Sequence, residues 1–388
     1  MTGPFFIPVV FCFLLPSLQE PQFKPQVIDA NITIGYGLAI GDVDGDGKPD
    51  ILLADKKQFV WYRNGDWKRF VMVENLTESD NVCIAARDVD GDGKVEVAVG
   101  AQWNPSETTD TLRSGSVHFL IRPADPTQKW TPIELHHEPT IHRMRWVKVA
   151  SNHFQLIVLP LHGRGNKNGE GAGVKVIAYE MPKDPTQPWN YVVIDQSMHL
   201  THNLDVVDMG SIGESIVIAG KEGFKAFQFQ GDKWIAFGEK VFWVKDRSFG
   251  ELRKMETGKG RVFAGISPMH GNELAIYGVN SRTVLTSDLN QGHGLATADL
   301  LTSGSDQVVV GWREPNKTTK VGIKIFVYSS TNETPKESWN WKEYWIDDNG
   351  MACEDLQIAD MDGDGKKDII AAGRATHNLK IYWNRNNP

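Results

Sequence analysis

The sequence predicts an all-β chain that folds as a seven-bladed β-propeller, and three observations lead to this prediction. The turn motif DxDGDGxxD, which ends once in Glu, occurs at 42–50, 88–96 and 360–368, each time between two short apolar segments. Weaker copies of the same unit fill the chain between the second and the third motif. Glycine is abundant, at 37 of 388 residues, which favours turns and short strands over long helices. Repeats of about 40–60 residues that hold four strands each are typical of propeller blades.

Seven aligned turns define seven repeat units, and we expect each unit to form one four-stranded blade. The turns begin near residues 42, 88, 149, 208, 256, 299 and 360. The last unit stops after its third strand, whereas segment 23–32 precedes the first unit. We therefore expect 23–32 to supply the missing outer strand, so that the ring closes without an open edge. The predicted blades are 36–75, 81–135, 141–195, 201–237, 249–287, 293–346 and 352–384, the last completed by 23–32.

The N-terminal residues 1–20 are predicted to be a signal peptide. The apolar run 5–15 is too short to cross a bilayer, and polar residues follow it. No later apolar stretch approaches the ~18 residues of a transmembrane helix, so we expect none. The expected protein is secreted or periplasmic and consists of one propeller domain, 21–388.

The composition excludes two classes of protein. There are 41 Lys and Arg against 49 Asp and Glu, a net charge of −8, and no basic run, whereas nucleic-acid-binding proteins present a basic face. Only Cys83 and Cys353 follow the predicted signal peptide, so the chain is not a disulfide scaffold, and we expect both cysteines to be small buried residues. Twelve of the carboxylates lie in the three DxDGDG loops, which leaves the other surfaces neutral to basic. The oligomeric state stays open.

The three DxDGDG loops are predicted to bind Ca²⁺. Carboxylates at alternate positions of a tight turn converge on one point, and Ca²⁺ takes several oxygen ligands. An EF-hand is excluded because position 12 holds Leu53, Val99 or Ala371 instead of Glu, and because the flanking segments are β-like. We expect about three structural ions, each of which holds the turn between two strands; a regulatory role is the alternative. The predicted ligands are Asp42, Asp44, Asp46, Asp50, Asp88, Asp90, Asp92, Glu96, Asp360, Asp362, Asp364 and Asp368.

These units resemble the FG-GAP or VCBS repeats of secreted propellers and integrin α chains. The resemblance covers the chain from about residue 30 to 386. It implies the propeller fold, but many functions share that fold, so it does not imply a function.

The face opposite the calcium loops is predicted to hold a functional site. The segments that lead into the innermost strands crowd around the central channel, and three of the seven carry a histidine, namely His142, His202 and His293. Two further segments carry Glu251 and Glu354. Three imidazoles at one height can bind a divalent transition metal or Mg²⁺ and leave positions open for substrate. The alternative is that each histidine only makes ordinary hydrogen bonds near the channel.

The turns between the second and third strands add polar side chains to this face. The Gly-rich loop 159–173 carries His162 and Arg164, and it is not a phosphate loop because the GxxxxGK[ST] pattern is absent. A cationic, His-rich funnel suits an oxygen-rich ligand, with a small sugar as the first candidate. Taken singly, each Arg or Lys also fits a solvated loop charge. The candidate substrate-binding residues are Arg143, Asn203, Lys221, Arg313, Arg374 and His377.

The chain also resembles the propeller domain of the aldos-2-ulose dehydratases and their bacterial relatives. The segments that carry the resemblance are HRMRW (142–146), LPLHGRGNKNGEG (159–171), the pair His202-Asn203 and GRATHNLKIYWN (373–384). It implies activity on keto-sugars such as 1,5-anhydrofructose, with loss of water, or addition of water to keto-glycals. The fungal members of that family carry further β domains after the propeller.

The candidate residues fit such a reaction on chemical grounds. Elimination beside a ketone needs a polarised carbonyl oxygen, which a metal on the three histidines can supply. It needs a base for the α-proton, for which His162 or Glu354 are candidates, and an acid for the leaving hydroxyl, for which Arg164 is one. Glu251 is a further carboxylate candidate. A secreted sugar lyase or hydratase is therefore the first hypothesis; a non-catalytic glycan- or protein-binding propeller and a polysaccharide lyase are the alternatives.

Overall fold

The computed structural model describes residues 20–210, 213–237, 247–258, 260–278, 281–329 and 340–386. Within these ranges 28 β-strands form seven four-stranded antiparallel sheets, and there is no α-helix. The predicted all-β, seven-bladed propeller is thereby confirmed. The described part of the chain contains no helix that is long and apolar enough to span a membrane. The predicted signal peptide lies outside the described residues, apart from Glu20.

Each blade consists of four strands that follow one another outward from the central channel. Blade I contains β2 (Gly37–Gly41), β3 (Asp50–Ala54), β4 (Gln58–Tyr62) and β5 (Arg69–Glu74), and blade II contains β6 (Cys83–Arg87), β7 (Glu96–Ala101), β8 (Ser116–Ile121) and β9 (Thr131–Leu135). Blade III contains β10 (Ile141–Ala150), β11 (His153–Pro160), β12 (Val176–Glu180) and β13 (Asn190–Asp195), and blade IV contains β14 (Thr201–Asp208), β15 (Glu214–Gly220), β16 (Gly223–Gln230) and β17 (Lys233–Phe237).

The remaining blades repeat this order. Blade V contains β18 (Glu251–Thr257), β19 (Gly260–Ser267), β20 (Glu273–Tyr277) and β21 (Arg282–Thr286), and blade VI contains β22 (Gly292–Ala298), β23 (Gln307–Trp312), β24 (Gly322–Ser329) and β25 (Asn340–Asp348). Blade VII contains β26 (Cys353–Ala359), β27 (Asp368–Gly373), β28 (Asn378–Asn384) and β1 (Phe23–Asp29). The first strands of neighbouring blades contact one another in a closed circle from β2 to β26 and back to β2.

The hydrophobic core lies between neighbouring blades. Side chains of β3 and β4, such as Leu52 and Trp61, pack on Val97 and Leu120 of blade II. The second strands of the blades are almost wholly apolar because both of their faces are covered, as in DILLA of β3 and QVVVGW of β23. Cys83 and Cys353 are free and buried in this core. Because each blade is antiparallel, the turns between first and second strands lie at one end of the ring, and the turns between second and third strands lie at the other.

The N-terminal strand closes the ring. Phe23 of β1 pairs with Asn384 of β28, and the antiparallel register continues to Val27 opposite Lys380. A side-chain contact extends the closure, since the Gln22 N–H donates a hydrogen bond to Asn386 Oδ1 at 2.8 Å. Blade VII is therefore built from both ends of the chain.

Deleting residues 21–30 is expected to lower the melting temperature by several degrees and to promote self-association. The deletion leaves one edge of β28 without a partner, and an exposed edge strand is a template for pairing with another chain. Thermal unfolding and size-exclusion chromatography check both effects. A deletion variant that stays monomeric and has the same melting temperature as the unmodified protein would contradict the role of β1 in ring closure.

Candidate functional site

Four of the seven innermost strands begin with a β-bulge, and each bulge presents one of the predicted site residues. In β10 the pairing with β11 skips His142, because its neighbours Ile141 and Arg143 pair with consecutive residues. A bulge bends its strand and redirects the side chain of the extra residue, and bulges are common beside active sites. The extra residues in β14, β22 and β26 are His202, His293 and Glu354.

Three histidines meet at this end of the channel. Each of His202, His270 and His293 offers one ring nitrogen, and these nitrogens all lie within 4.8 Å of one another. The Nε2 atoms of His202 and His270 are 2.9 Å apart, and the ring centroids of His202 and His293 are 5.2 Å apart. His202 and His293 are only 1% and 5% exposed. We call these three residues the imidazole cluster.

Backbone carbonyls determine which nitrogen of the cluster carries the proton. His202 Nδ1 lies 2.7 Å from the carbonyl oxygen of Gly250, and His293 Nδ1 is hydrogen-bonded to the carbonyl oxygen of Glu354. A carbonyl only accepts, so each Nδ1 carries the hydrogen and each Nε2 keeps a lone pair. Metal-ligating histidines are usually oriented in this way.

The cluster is also in the protonation state that a metal requires. Burial lowers the pKa of His202, and it lowers the pKa of His293 well below the ordinary range. The pKa of His270 falls to about 2, first because of burial and then because His202 is adjacent. His270 Nε2 donates a hydrogen bond to the lone pair of His202 Nε2, and a metal would replace this hydrogen bond. Neutral imidazoles fit a divalent transition metal.

His270 was not among the predicted residues, and His142 lies beside the cluster. His270 belongs to the turn between β19 and β20, whereas His142, His202 and His293 belong to segments that lead into first strands. The His142 ring is 4.5 Å from that of His202, but His142 does not belong to the set within 4.8 Å. The role of His142 as a metal ligand stays a prediction. A signal for His270 was present in the sequence, because Met269-His270-Gly271 lies in a turn between second and third strands, the kind of turn that also carries His162 and Arg374.

Glu251 lies behind His202, where cations hold it. Glu251 Oε1 is 3.3 Å from His202 Nδ1, and Arg253 and Arg143 approach the carboxylate to 2.9 and 3.3 Å. Although burial opposes the charged form, the guanidinium of Arg253 and the other partners hold the pKa of Glu251 well below its usual range. Glu251 is therefore a charged residue that supports the imidazole cluster, because His202, Arg143 and Arg253 already contact its carboxylate oxygens.

Glu354 is the other predicted carboxylate, and its surroundings differ. Arg313 and Arg374 each approach both carboxylate oxygens at 3.3–3.4 Å, at the long end of the hydrogen-bond range. Burial raises the pKa of Glu354 in spite of these two cations. Its main-chain carbonyl holds His293, so the carboxylate belongs to the same end of the channel as the imidazole cluster. A buried carboxylate with a raised pKa is suited to accept a proton from a substrate.

The structure places the other predicted residues either in the channel wall or on the rim. Asn203 is buried in the wall, where its Nδ2 donates to the carbonyl of Leu252 at 3.1 Å. On the rim, Arg164 pairs with Glu138 at 3.0 Å, and Lys221 donates to the carbonyl of Asn168 at 3.0 Å.

Two predicted histidines also lie outside the cluster. His377 is exposed and donates from Nδ1 to the carbonyl of Thr33 at 3.0 Å. His162 is half-buried, and its backbone pairs with Leu200. Its Nδ1 has no hydrogen-bond partner among the residues that the structure describes. No described contact joins His162 or His377 to the imidazole cluster, so their proposed roles stay predictions.

The three DxDGDG loops bring carboxylates together at the opposite end of the blades. In each loop the first, third and ninth positions offer oxygens within 4.8 Å of one another. Gly45 and Gly47 adopt φ values of 82° and 83°, which favour glycine. The fifth position stands outside each set; Asp92, for example, pairs with Arg122 at 3.0 Å. The three sets are Asp42, Asp44 and Asp50; Asp88, Asp90 and Glu96; and Asp360, Asp362 and Asp368.

Comparison with protein families gives two matches. Residues 25–99 match the FG-GAP-like repeat, and residues 114–279 match the β-propeller domain of aldos-2-ulose dehydratase. The aldos-2-ulose dehydratase of Phanerodontia chrysosporium is 23% identical over 265 residues, which are 63% of this chain and 28% of that protein. The chain thus corresponds to little more than a quarter of the curated relative.

Solved structures share the fold at low sequence identity, so they show the fold alone. BBS1N in complex with ARL6DN has a TM-score of 0.57 at 12% identity and covers 95% of this chain and 98% of its own. A chain of the mitotic checkpoint complex has a TM-score of 0.58 at 10% identity, with 98% and 100% covered. The exotype rhamnogalacturonan lyase YesX has a TM-score of 0.54 at 12% identity, with 95% and 75% covered. The chain is a seven-bladed β-propeller with FG-GAP-like repeats that is similar, in its central blades, to the propeller domain of aldos-2-ulose dehydratase.

Proposed function

We propose that this protein is a carbohydrate-active lyase or hydratase that removes or adds water beside the carbonyl group of a keto-sugar or keto-glycal. The observation that carries the proposal is the imidazole cluster, whose three neutral histidines have neighbouring ring nitrogens, with the buried carboxylate of Glu354 on the adjoining strand. The similarity to aldos-2-ulose dehydratase supports a sugar as the substrate.

The imidazole cluster would hold one divalent transition metal. Three nitrogen ligands favour such a metal over Mg²⁺, which prefers oxygen. When bound, the ion would act as a Lewis acid on a carbonyl oxygen of the substrate. His202 and His293 are suited to this because the carbonyls of Gly250 and Glu354 hold their rings in one orientation.

Glu354 is the proposed base. It takes the proton from the carbon next to the ketone, and the C–H electron pair becomes part of a carbon–carbon double bond. The hydroxyl on the next carbon leaves with the proton that Glu354 returns to it, so that one water molecule is lost. Hydration follows the same steps in reverse. Arg374, whose side chain is 37% exposed, is placed to donate hydrogen bonds to sugar oxygens.

The substitution Glu354→Gln is expected to lower kcat by roughly 10²–10⁴-fold, because an amide cannot accept the α-proton. The assay follows water loss from 1,5-anhydrofructose and other keto-sugars and water addition to keto-glycals. Glu138→Gln is the matched control, since Glu138 is also buried and also lies between two cations, Arg164 and Lys175. Full activity of Glu354→Gln would exclude Glu354 as the base. No turnover by the unmodified protein would favour a non-catalytic binding propeller.

We also propose that the three DxDGDG loops bind structural Ca²⁺. Asp50 supports this, because it receives hydrogen bonds from the N–H groups of Val43 and Asn64 while burial raises its pKa to about 7. A nearby cation would therefore stabilise its ionised form. We expect dissociation constants of about 10⁻⁴–10⁻³ M, the range of extracellular calcium modules.

Blade VI has a turn that needs no ion. Gln307 stands at the ninth position, and its Oε1 accepts hydrogen bonds from the N–H groups of Leu300 and Leu301. Its Nε2 donates to Ser303 Oγ and to the carbonyl of Ser305. The neutral amide of Gln307 thus spans this turn, whereas we propose that an ion holds the corresponding turn in each DxDGDG loop.

A further inference from the structure

The channel has a second group of polar and aromatic side chains, which lies on blades VII, I and II. Tyr36 precedes β2 and Asp80 precedes β6, while Trp103 follows β7 and Arg374 follows β27. The four residues thus lie in loops at the same end of the blades as the imidazole cluster. We call the four residues the Tyr36 sector.

Asp80 has unused hydrogen-bonding capacity in this sector. The Tyr36 hydroxyl donates to Asp80 Oδ2 at 3.1 Å, whereas Lys57 Nζ stays 3.9 Å from Oδ1, beyond hydrogen-bonding distance. An ionised carboxylate has about four acceptor positions. The Asp80 side chain is 23% exposed, so its remaining positions can receive donors from a ligand.

Arg374 and Trp103 complete the sector with a donor and an apolar surface. The Arg374 guanidinium lies over the Tyr36 ring, 5.4 Å from its centroid. The backbone N–H of Trp103 donates to the backbone carbonyl of Asp80 at 2.9 Å, and the two residues form an antiparallel bridge. Residues paired in this way place their side chains on the same face, with Cβ atoms about 5 Å apart. The half-buried side chain of Trp103 therefore projects from the same face as the carboxylate of Asp80.

The Tyr36 sector is continuous with the imidazole cluster through His142. The Trp103 indole is stacked on His142 with ring centroids 5.0 Å apart, and His142 is 4.5 Å from His202. His142 is 5% exposed, and within the described ranges neither of its ring nitrogens has a hydrogen-bond partner. Buried polar atoms without partners are rare in native proteins and require an explanation, such as a ligand that supplies the partner.

From this arrangement we infer that the Tyr36 sector is a subsite for the unreacting part of a pyranose ring. Asp80 accepts hydrogen bonds from ring hydroxyls, Arg374 donates to sugar oxygens, and the exposed part of Trp103 contacts the apolar C–H face of the ring. The inference rests on the proposed function and extends it, because it assigns the part of the channel that would hold the ring atoms and hydroxyls away from the reacting carbonyl. The carbonyl end of that unit lies towards His202, and the hydroxyl-rich end lies towards blades I and II.

The test uses a sugar that binds but cannot react. 1,5-Anhydro-D-glucitol is a pyranose without a carbonyl group, and its binding to the full chain in Ca²⁺ buffer can be measured by isothermal titration calorimetry. Asp80→Asn is expected to weaken the binding by about tenfold, since hydrogen bonds to a charged acceptor are lost. If Asp80→Asn does not fold, Trp103→Phe serves instead and is expected to weaken the binding by about threefold.

Asp29→Asn is the matched control. Asp29 also accepts a hydrogen bond from a tyrosine hydroxyl, Tyr62 at 2.7 Å, and also lies near a cation, Arg69 at 3.7 Å. It belongs to the outer strand β1, away from the channel, so its substitution leaves sugar binding unchanged. The melting temperatures of both variants report whether either has lost its fold.

The outcomes separate the subsite from the proposed reaction. Three results would overturn the subsite. Asp80→Asn could bind the sugar as tightly as the unmodified protein, Asp29→Asn could weaken binding as much as Asp80→Asn, or the unmodified protein could fail to bind the sugar. If the unmodified protein and Asp80→Asn turn over a keto-sugar equally well, the subsite is overturned and the proposed function stays intact. Tenfold weaker binding in Asp80→Asn without turnover of any keto-sugar would support the subsite and overturn the proposed function.

Discussion

Substitution of His202 or His270 by alanine is expected to abolish binding of the transition metal that we propose for the imidazole cluster and to lower kcat by roughly a thousandfold. Loss of one of three nitrogen ligands weakens a metal site strongly, and a Lewis acid supplies several kcal/mol of charge stabilisation in the transition state. The two residues are suitable targets because their Nε2 atoms are only 2.9 Å apart. Metal content by inductively coupled plasma mass spectrometry and kcat on keto-sugars check the two effects separately.

Two further variants make this test specific. His153→Ala is the control, because His153 pairs with Glu180 beside the turn between β10 and β11, at the other end of its blade. It is expected to retain both metal and activity. His142→Ala distinguishes two ligand sets and is expected to retain the metal, since His142 stands outside the group within 4.8 Å. Loss of the metal in His142→Ala together with its retention in His270→Ala would restore the ligand set predicted from the sequence.

Removal of Ca²⁺ is expected to lower the melting temperature by about 10 °C. Each ion that binds only the folded chain contributes about 2.7 kcal/mol when its concentration is a hundred times the dissociation constant. The proposed sites number three, and without ions the carboxylates of each set repel one another. Differential scanning calorimetry after chelation, followed by addition of Ca²⁺ alone, measures the effect separately from any transition metal that the imidazole cluster binds.

Blade VI provides the control for this prediction. Asp42→Asn is expected to remove about one third of the calcium-dependent stabilisation, because one of three sets loses a ligand. Asp299→Asn is expected to leave it unchanged, since Asp299 belongs to the turn that Gln307 spans and its carboxylate accepts the N–H groups of Ser303 and Gly304. A melting temperature that does not respond to chelation would contradict a structural role for calcium.

The fold could be predicted because its signal repeats along the chain. Each blade contains a turn followed by an apolar second strand, and DILLA of β3 and DIIAAG of β27 show the pattern clearly. Seven such units in register leave few alternatives to a closed ring. The same periodicity identified the segments that carry His202 and His293, which the structure brings together at one end of the channel.

The parts of the site that the sequence did not indicate depend on cross-strand pairing and on loop paths. A β-bulge can be recognised only when the pairing of both strands is known. The sequence therefore could not show that His142 and Glu354 each lie in a β-bulge at the start of a first strand. His270 reaches the cluster through a turn of blade V, whose first strand begins with Glu251 and has no bulge. The partners of a charged side chain were equally hidden, as with Arg164 and Glu138.

The pairing of β1 with β28 also determines the order in which the protein can be completed. Phe23 and Asn384 are separated by almost the whole chain, so β1 has no partner until the last strand has been synthesised. Blades I to VI can assemble from neighbouring segments, whereas blade VII requires the most distant contact of the ring and carries the highest loop-closure cost. We therefore expect the pairing of β1 with β28 to be a late step of folding, because it joins the segments of this fold that are most distant in sequence.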